Sequence, residues 1–354
     1  MGGRSDAPAP HLHKVAVPTT YALVPGGDSL SFHSLVTQFW PSTINGIVLG
    51  SIYALIALGY TLVYGVLRLI NFANSEVFML SAFGSFLAID MLGIPDRLAG
   101  GADPYKTGWT LIGILAFMLL ISLIIGAASA VVLERVAYRP LRKRNAPRLV
   151  FLISAIGASF AMSEAVGEWG AKKRQDYALA RVFKKQRLFT IFGADVRNDY
   201  IVVVIGSLVM MTILVLFVNR SRVGRGIRAV AQDMETARLM GVNVDLIILI
   251  TFVVGGLMSG AAAFFFEIYN GSARYSLGFE LGVKAFTAAV LGGIGNIKGA
   301  LLGGLMLGII ENWGTSLFNS NQKMGTVTAF VVLVLVLMVR PTGLLGESMG
   351  RSRA

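Results

Sequence analysis

The chain has 354 residues, 55% hydrophobic and 14% charged, with a net charge of +12 and a mean hydropathy of +0.69. Soluble domains carry roughly a quarter charged residues, so this composition excludes an ordinary soluble globular protein. Cysteine is absent, which excludes disulfides, thiolate nucleophiles and Cys-based metal sites.

Residues 1 to about 40 stand apart. Pro8, Pro10, Pro18 and Pro25 interrupt any helix, and all three histidines of the chain, His11, His13 and His33, fall here. No apolar stretch follows the start, so a cleavable signal peptide is not expected. A mobile tail is expected over 1–28 and a short interfacial helix over 30–40, with Phe39 and Trp40 at headgroup level.

Apolar spans follow at 43–66, 72–92, 109–133, 149–168, 200–218, 246–267, 280–295, 299–314 and 326–340. Several reach the ~20 residues that cross a hydrocarbon core of about 30 Å. The seventh and eighth are rich in glycine (Gly292, Gly293, Gly295, Gly299, Gly303, Gly304, Gly308), so a broken or re-entrant pair is expected among them. The expected fold is an all-α polytopic membrane protein with about eight or nine transmembrane helices. Its membrane domain is expected over 41–341, with a cytoplasmic C-terminal tail over 342–354.

Basic residues in short loops are retained in the cytoplasm. The 134–148 loop holds Arg135, Arg139, Arg142, Lys143, Arg144 and Arg148 against Glu134; the 220–245 loop holds Arg220, Arg222, Arg225, Arg228 and Arg238 against Asp233, Glu235 and Asp245. Both are therefore expected inside. Two spans separate them, so parity sends 169–199 outside although it carries Lys172, Lys173, Arg174, Arg181, Lys184, Lys185, Arg187 and Arg197. Parity also places the N-terminus outside and the C-terminus inside. Because the basic excess lies between apolar runs, lipid headgroups account for it and nucleic acid is not an expected partner.

Catalysis has few candidates. The membrane region lacks histidine, and the chain contains neither GxSxG nor GxxxxGK[ST], so no catalytic residue, resident cofactor or metal site is expected and nucleotide-driven work falls to another polypeptide. Intramembrane charges are costly and mark function. Of Glu76, Asp90, Glu164, Glu267, Glu280, Lys284 and Glu311, most lie near expected helix ends, and Glu280 with Lys284 forms an i,i+4 pair. Glu76, beside Asn71, Asn74 and Ser75, is expected to face an interior. That cluster, with Tyr53, either lines a substrate pathway or caps a helix.

Small-residue pairs such as Gly256 with Gly260 and Gly299 with Gly303 permit close helix packing. The 292–299 stretch alternatively forms a cytoplasmic break that flexes. In the 220–245 loop, Ile227, Val230, Met234, Ala237 and Met240 recur at helical spacing before Gly241. One amphipathic helix over 226–240 is expected, its apolar stripe covered by the membrane interface or a cytosolic protein.

Six segments make the chain similar to a known family: NGIVLGSIYALIALGYTLVYGVLRLINFANSE at 45–76, ERVAYRPLR at 134–142, LISAIGAS at 152–159, SRVGRGIRAVAQDMETARLMGVNVD at 221–245, KAFTAAVLGGIGNIKGALLGG at 284–304 and RPTGLLG at 340–346. It resembles the LivH-type permease subunit of bacterial branched-chain amino acid ABC importers. The resemblance implies half of a translocation pathway in the bacterial inner membrane. The implied partners are a homologous LivM-type permease, two cytosolic ATP-binding subunits and a periplasmic amino acid binding protein. Glu235, Ala237 and Gly241 match the Glu-x-Ala-x-x-x-Gly coupling motif of such permeases, with Thr236 where a second alanine is usual. Arg238 is placed to pair with Glu235 or with the ATPase.

Two departures from the family pattern bear on substrate choice. The usual Asn-Phe-Ala-His-Gly-Glu reads Asn71-Phe72-Ala73-Asn74-Ser75-Glu76, and the usual Gly-Ser-Ile-Pro-Gly reads Gly295-Asn296-Ile297-Lys298-Gly299. Permeases for amides, urea or simple sugars and, from another class, an ion-coupled carrier remain the alternatives.

Overall fold

A chain buried in lipid must satisfy its backbone polar groups internally, and helices do so within one segment. The computed structural model describes residues 31–91, 109–170, 177–178, 185–273 and 277–346. In chain order the helices are α1 (Phe32–Thr37), α2 (Phe39–Leu67), α3 (Asn74–Met91), α4 (Trp109–Leu133), a π-helical turn (Glu134–Tyr138), α5 (Arg139–Lys143) and α6 (Arg148–Gly170). They continue with α7 (Asn198–Arg220), α8 (Arg222–Gln232), α9 (Met234–Leu239), α10 (Val244–Asn270), α11 (Leu277–Gly292), α12 (Ile297–Leu317) and α13 (Gln322–Val339).

Polar residues between apolar runs set these boundaries. Asn243, Asn296 and Asn321 each accept a hydrogen bond at the N-terminus of α10, α12 and α13, from Leu246, Lys298 and Lys323 amides at 3.0–3.1 Å. Gly271, at φ +73°, ends α10 by donating its amide to the Glu267 carbonyl at 2.8 Å. Its left-handed backbone is open to glycine at little cost.

Six helices among the described residues are long and apolar enough to cross a membrane: α2, α4 with its extension to Lys143, α6, α7, α10 and α13. Expecting eight or nine counts α3, α11 and α12 as well. Of these, α3 and α11 are packed largely inside the chain. The 16 residues of α11 span about 24 Å, short of the core thickness.

Burial divides centre from periphery: 89% and 72% of the apolar windows of α2 and α10 are buried, against 11–28% for α4, α6, α7 and α13. The central helices meet at glycine. A Cβ on Gly308 would strike Gly46 and Gly50 of α2, and one on Gly304 would strike Ala54. Gly256 and Gly260 of α10 similarly abut Gly126 and Ser122 of α4, and the Ser122 hydroxyl donates to the Gly260 carbonyl at 2.7 Å. Gly292 and Gly299 touch each other, and Gly303 rests on Ala288 and Gly292. The expected broken pair is thus two helices, α11 and α12, joined by a tight turn in which Gly293 and Gly295 have φ of +107° and +95°.

Contacts at the helix ends define two faces. Arg142 of α5 bridges Glu134 at 3.0 Å and Asp245 at 2.8 Å, and Arg68 donates to the Gln232 carbonyl at 3.4 Å, so both basic loops share one end. At the other, Lys185 donates to the Tyr269 carbonyl at 2.7 Å, 24 residues from Asp245 along α10, or about 36 Å.

This second end adds strands to an otherwise helical chain. β1 (Tyr177–Ala178) pairs antiparallel with β4 (Ser272–Ala273), and β2 (Arg187–Ile191) with β3 (Ala194–Arg197). Arg187 pairs with Asp195 at 3.0 Å, Arg197 with Asp199, and Lys185 lies 3.8 Å from Asp199. Local carboxylates therefore pair with the described basic residues of the segment. Lys172, Lys173, Arg174, Arg181 and Lys184 lie outside the described residues.

The 1–28 tail also lies outside them, as does most of 342–354. Residues 344–346 return to the membrane domain, with the Leu344 and Leu345 amides donating to Leu291 and Gly292 carbonyls at 2.9 and 3.0 Å. The expected helix over 30–40 is shorter: α1 starts after Ser31, which caps it, and Phe39 and Trp40 open α2.

Candidate functional site

At the end shared by the basic loops, the expected single helix over 226–240 is two helices. Asp233 separates them because its carboxylate Oδ1 accepts from the Glu235 and Thr236 amides at 2.9 and 3.2 Å, while Oδ2 accepts from the Thr236 hydroxyl at 2.6 Å. An N-cap of this kind outweighs continuation of the apolar stripe. The Thr236 hydroxyl and amide, with the Glu235 amide, hold the Asp233 carboxyl below its ordinary range.

Gly241 closes α9. At φ +83° its amide donates to the Arg238 carbonyl at 3.1 Å and the Val242 amide to the Ala237 carbonyl at 3.0 Å, the paired bonds of a Schellman motif. The chain buries its own stripe: Ile227, Val230 and Ala237 are buried and Met234 is packed against them. Ala237, expected among the coupling residues, is thus buried by the chain itself. What reaches outward is Glu235, Thr236, Arg238, Leu239 and Met240, the last two 87% and 80% exposed.

Polar contacts run inward from this surface. Asp245 and Glu134 hold Arg142 between them, and Glu134 begins the π-helical turn whose last residue, Tyr138, donates its hydroxyl to Asn71 Oδ1 at 3.0 Å. Asn71 precedes α3. Its side chain is therefore engaged by Tyr138, and the capping role open to it in the sequence is not the one it takes.

Of the four expected pathway residues, Asn71, Asn74 and Glu76 lie together where α3 begins, the Asn74 amide donating to the Asn71 carbonyl at 3.2 Å. Asn71 lines a small crevice with Tyr60, Tyr64, Ile70, Phe286, Ala289 and Ile294. Asn74 and Glu76 lie in the first turn of α3, where Ser159 of α6 donates to Glu76 Oε1 at 3.1 Å. Glu76 Oε2 and Asn74 Nδ2 are buried without a hydrogen-bond partner among the described residues. Tyr53 belongs elsewhere: its hydroxyl donates to Glu311 Oε2 at 2.9 Å.

Around Glu311 lies a network that sequence reasoning missed. Lys284 Nζ donates to Glu311 Oε1 at 2.6 Å and stands 3.4 Å from Glu280, and the Thr326 hydroxyl donates to Glu311 at 3.1 Å. Residues of α2, α11, α12 and α13 thus meet at one buried carboxylate. The i,i+4 spacing of Glu280 and Lys284 was visible, but the buried partner stands 27 positions away on another helix. Glu267, with both oxygens accepting from Ser85 at 2.7–2.8 Å, is buried as well. Most of the intramembrane charges were expected near helix ends; Glu267, Lys284 and Glu311 are instead covered by neighbouring helices. The Asp90 side chain lies outside the described residues, and among those residues no metal-holding cluster of acids or histidines occurs.

Residues 42–337 match a family model described as the permease component of the branched-chain amino acid transport system. The chain is 41% identical over 312 residues to the high-affinity branched-chain amino acid transport system permease protein LivH of Escherichia coli strain K12, covering 87% of this chain and 96% of that one. It is likewise 41% identical over 315 residues to BraD of Pseudomonas aeruginosa, a protein of the same description, covering 88% and 97%. A probable LivH permease of Methanocaldococcus jannaschii is 24% identical over 311 residues, covering 85% and 90%.

Proposed function

The chain belongs to the family of branched-chain amino acid transport permease components, and on that premise we propose that it is one permease subunit of an ATP-driven importer in a bacterial inner membrane. Its cargo is a branched-chain or related hydrophobic amino acid. It works beside a homologous LivM-type permease, is driven by two cytosolic ATP-binding subunits and is fed by a periplasmic binding protein; ATP is used by those partners.

Near-full-length likeness to amino acid permeases carries this proposal, and the 220–245 loop supports it. Leu239 and Met240 project together from α9, which Asp233 and Gly241 cap at its two ends. An apolar pair on a short, braced helix is a suitable contact for a cytosolic subunit, whose movement Arg142, Glu134, Tyr138 and Asn71 would relay toward α3. Glu235 and Arg238 flank the contact.

The test is uptake of labelled leucine by proteoliposomes holding the assembled complex. ATP-dependent uptake is expected, and replacing Leu239 and Met240 together by Asp is expected to release the ATP-binding subunits and reduce uptake to background while the chain stays in the membrane. Full uptake by that variant would overturn the coupling assignment. Uptake by the lone chain under an ion gradient would show a secondary carrier.

A further inference from the structure

The hairpin formed by β2 and β3 carries an aromatic where its turn disfavours one. Its two connecting residues, Phe192 and Gly193, have φ of +48° and +81°, the pattern of a type I′ turn, which selects Asn, Asp or Gly at both positions. A bulky side chain at positive φ is an outlier. This Phe192 is also 72% exposed, so contacts within the chain leave most of its ring uncovered.

The depth of Phe192 follows from what it touches. Its ring stacks on Trp40 with centroids 4.7 Å apart, and Trp40 lies in the first turn of α2 beside Phe39, which stacks on Trp313 at 5.2 Å. The 29 residues of α2 extend about 43 Å, close to a bilayer with its headgroup regions, about 40–45 Å. The first turn of α2 therefore lies in the headgroup zone, where Trp and other amphipathic rings collect. Along β2, Leu188, Phe189 and Ile191 are exposed as well, while the opposite strand turns Ala194 and Val196 into the protein.

We propose that the 187–197 hairpin is an interfacial anchor that lays Phe189, Ile191 and Phe192 into the lipid headgroup–acyl boundary, on the side opposite the 220–245 loop, and holds α2 there through Trp40. The occupant of this face is lipid. Its apolar residues continue the ring of Phe39, Trp40 and Trp313 through the Phe192–Trp40 stack, and within the described hairpin Arg187 is neutralised by Asp195 and Arg197 by Asp199.

The full chain has no native cysteine, so single-cysteine variants Phe192→Cys and Phe189→Cys can carry an environment-sensitive fluorophore in proteoliposomes. Lys143→Cys, at an exposed position of the opposite face, is the reference. Brominated lipids are expected to quench the probes at 189 and 192, with blue-shifted emission and weak quenching by aqueous iodide; the probe at 143 is expected to show the reverse. Probes at 189 and 192 that respond to iodide as the reference does, and not to brominated lipid, would overturn the anchor. If they become shielded only when an added binding protein is present, the face is a protein dock and the proposal fails. The Trp40→Leu variant of the Phe189→Cys chain, in which the Phe192 ring is intact, is expected to raise iodide access at 189, whereas unchanged access would remove the link to α2.

Discussion

Lys284 shows how much one side chain depends on its partner. It is buried, and Glu311 meets it at 2.6 Å while Tyr53 and Thr326 donate to two further acceptor positions of that carboxylate. Removing one member of a buried pair strands the other charge at a cost of about 3–5 kcal/mol, whereas replacing both with apolar groups is often neutral. Lys284→Met is therefore expected to lower thermal stability of the detergent-solubilised chain strongly. Lys284→Met with Glu311→Leu is expected to recover most of it, and a double variant as unstable as the single one would contradict the pairing. At this scale the sequence was partly legible. Gly256, Gly260, Gly299 and Gly303 were readable as packing positions because their spacing is local to one helix. Tyr53 was grouped with Glu76 because nothing in its neighbourhood signals Glu311, 258 positions away.

Among the elements, the pair α8 and α9 departs most from the expectation. Helical periodicity ran through Asp233, and the structure breaks there because a side-chain carboxylate bonded to two amides and a hydroxyl is a better use of Asp than a helix interior. Asp233→Ala is expected to speed amide exchange at Glu235 and Thr236, and Asp233→Asn, another good cap, to retain protection. The sign of the pH effect follows from the lowered folded value. Protection from the carboxylate is fully present above the ordinary range, near pH 4, and is lost as pH falls through the folded value; Asp233→Asn should abolish this dependence. A protection factor in the parent chain that does not fall on acidification would refute it. The Gly241 end was readable locally and the Asp233 cap is equally local, whereas burial of Ala237 was not readable, since it depends on how α8 and α10 pack against α9.

For the molecule as a whole, the shared end of the two basic loops makes sidedness testable. Lys143→Cys and Arg187→Cys are expected to react with an impermeant maleimide from opposite sides of the membrane, Lys143→Cys from the cytoplasm. Labelling of both from one side would remove the two-faced arrangement. The sequence by itself determined the membrane class, the helical spans, the order of loops and the family likeness, because hydropathy, caps and motifs act over neighbouring residues. Only the tertiary structure decided which helices are central, that Arg142 ties the loops together, and that Lys284 and Glu311 neutralise each other. It also decided that the outer basic residues within reach are already paired and that an aromatic hairpin stands beside Trp40. The physical reason is range: a cap or an apolar period is complete within a few turns, but burial and ion pairing depend on which distant helix lies alongside.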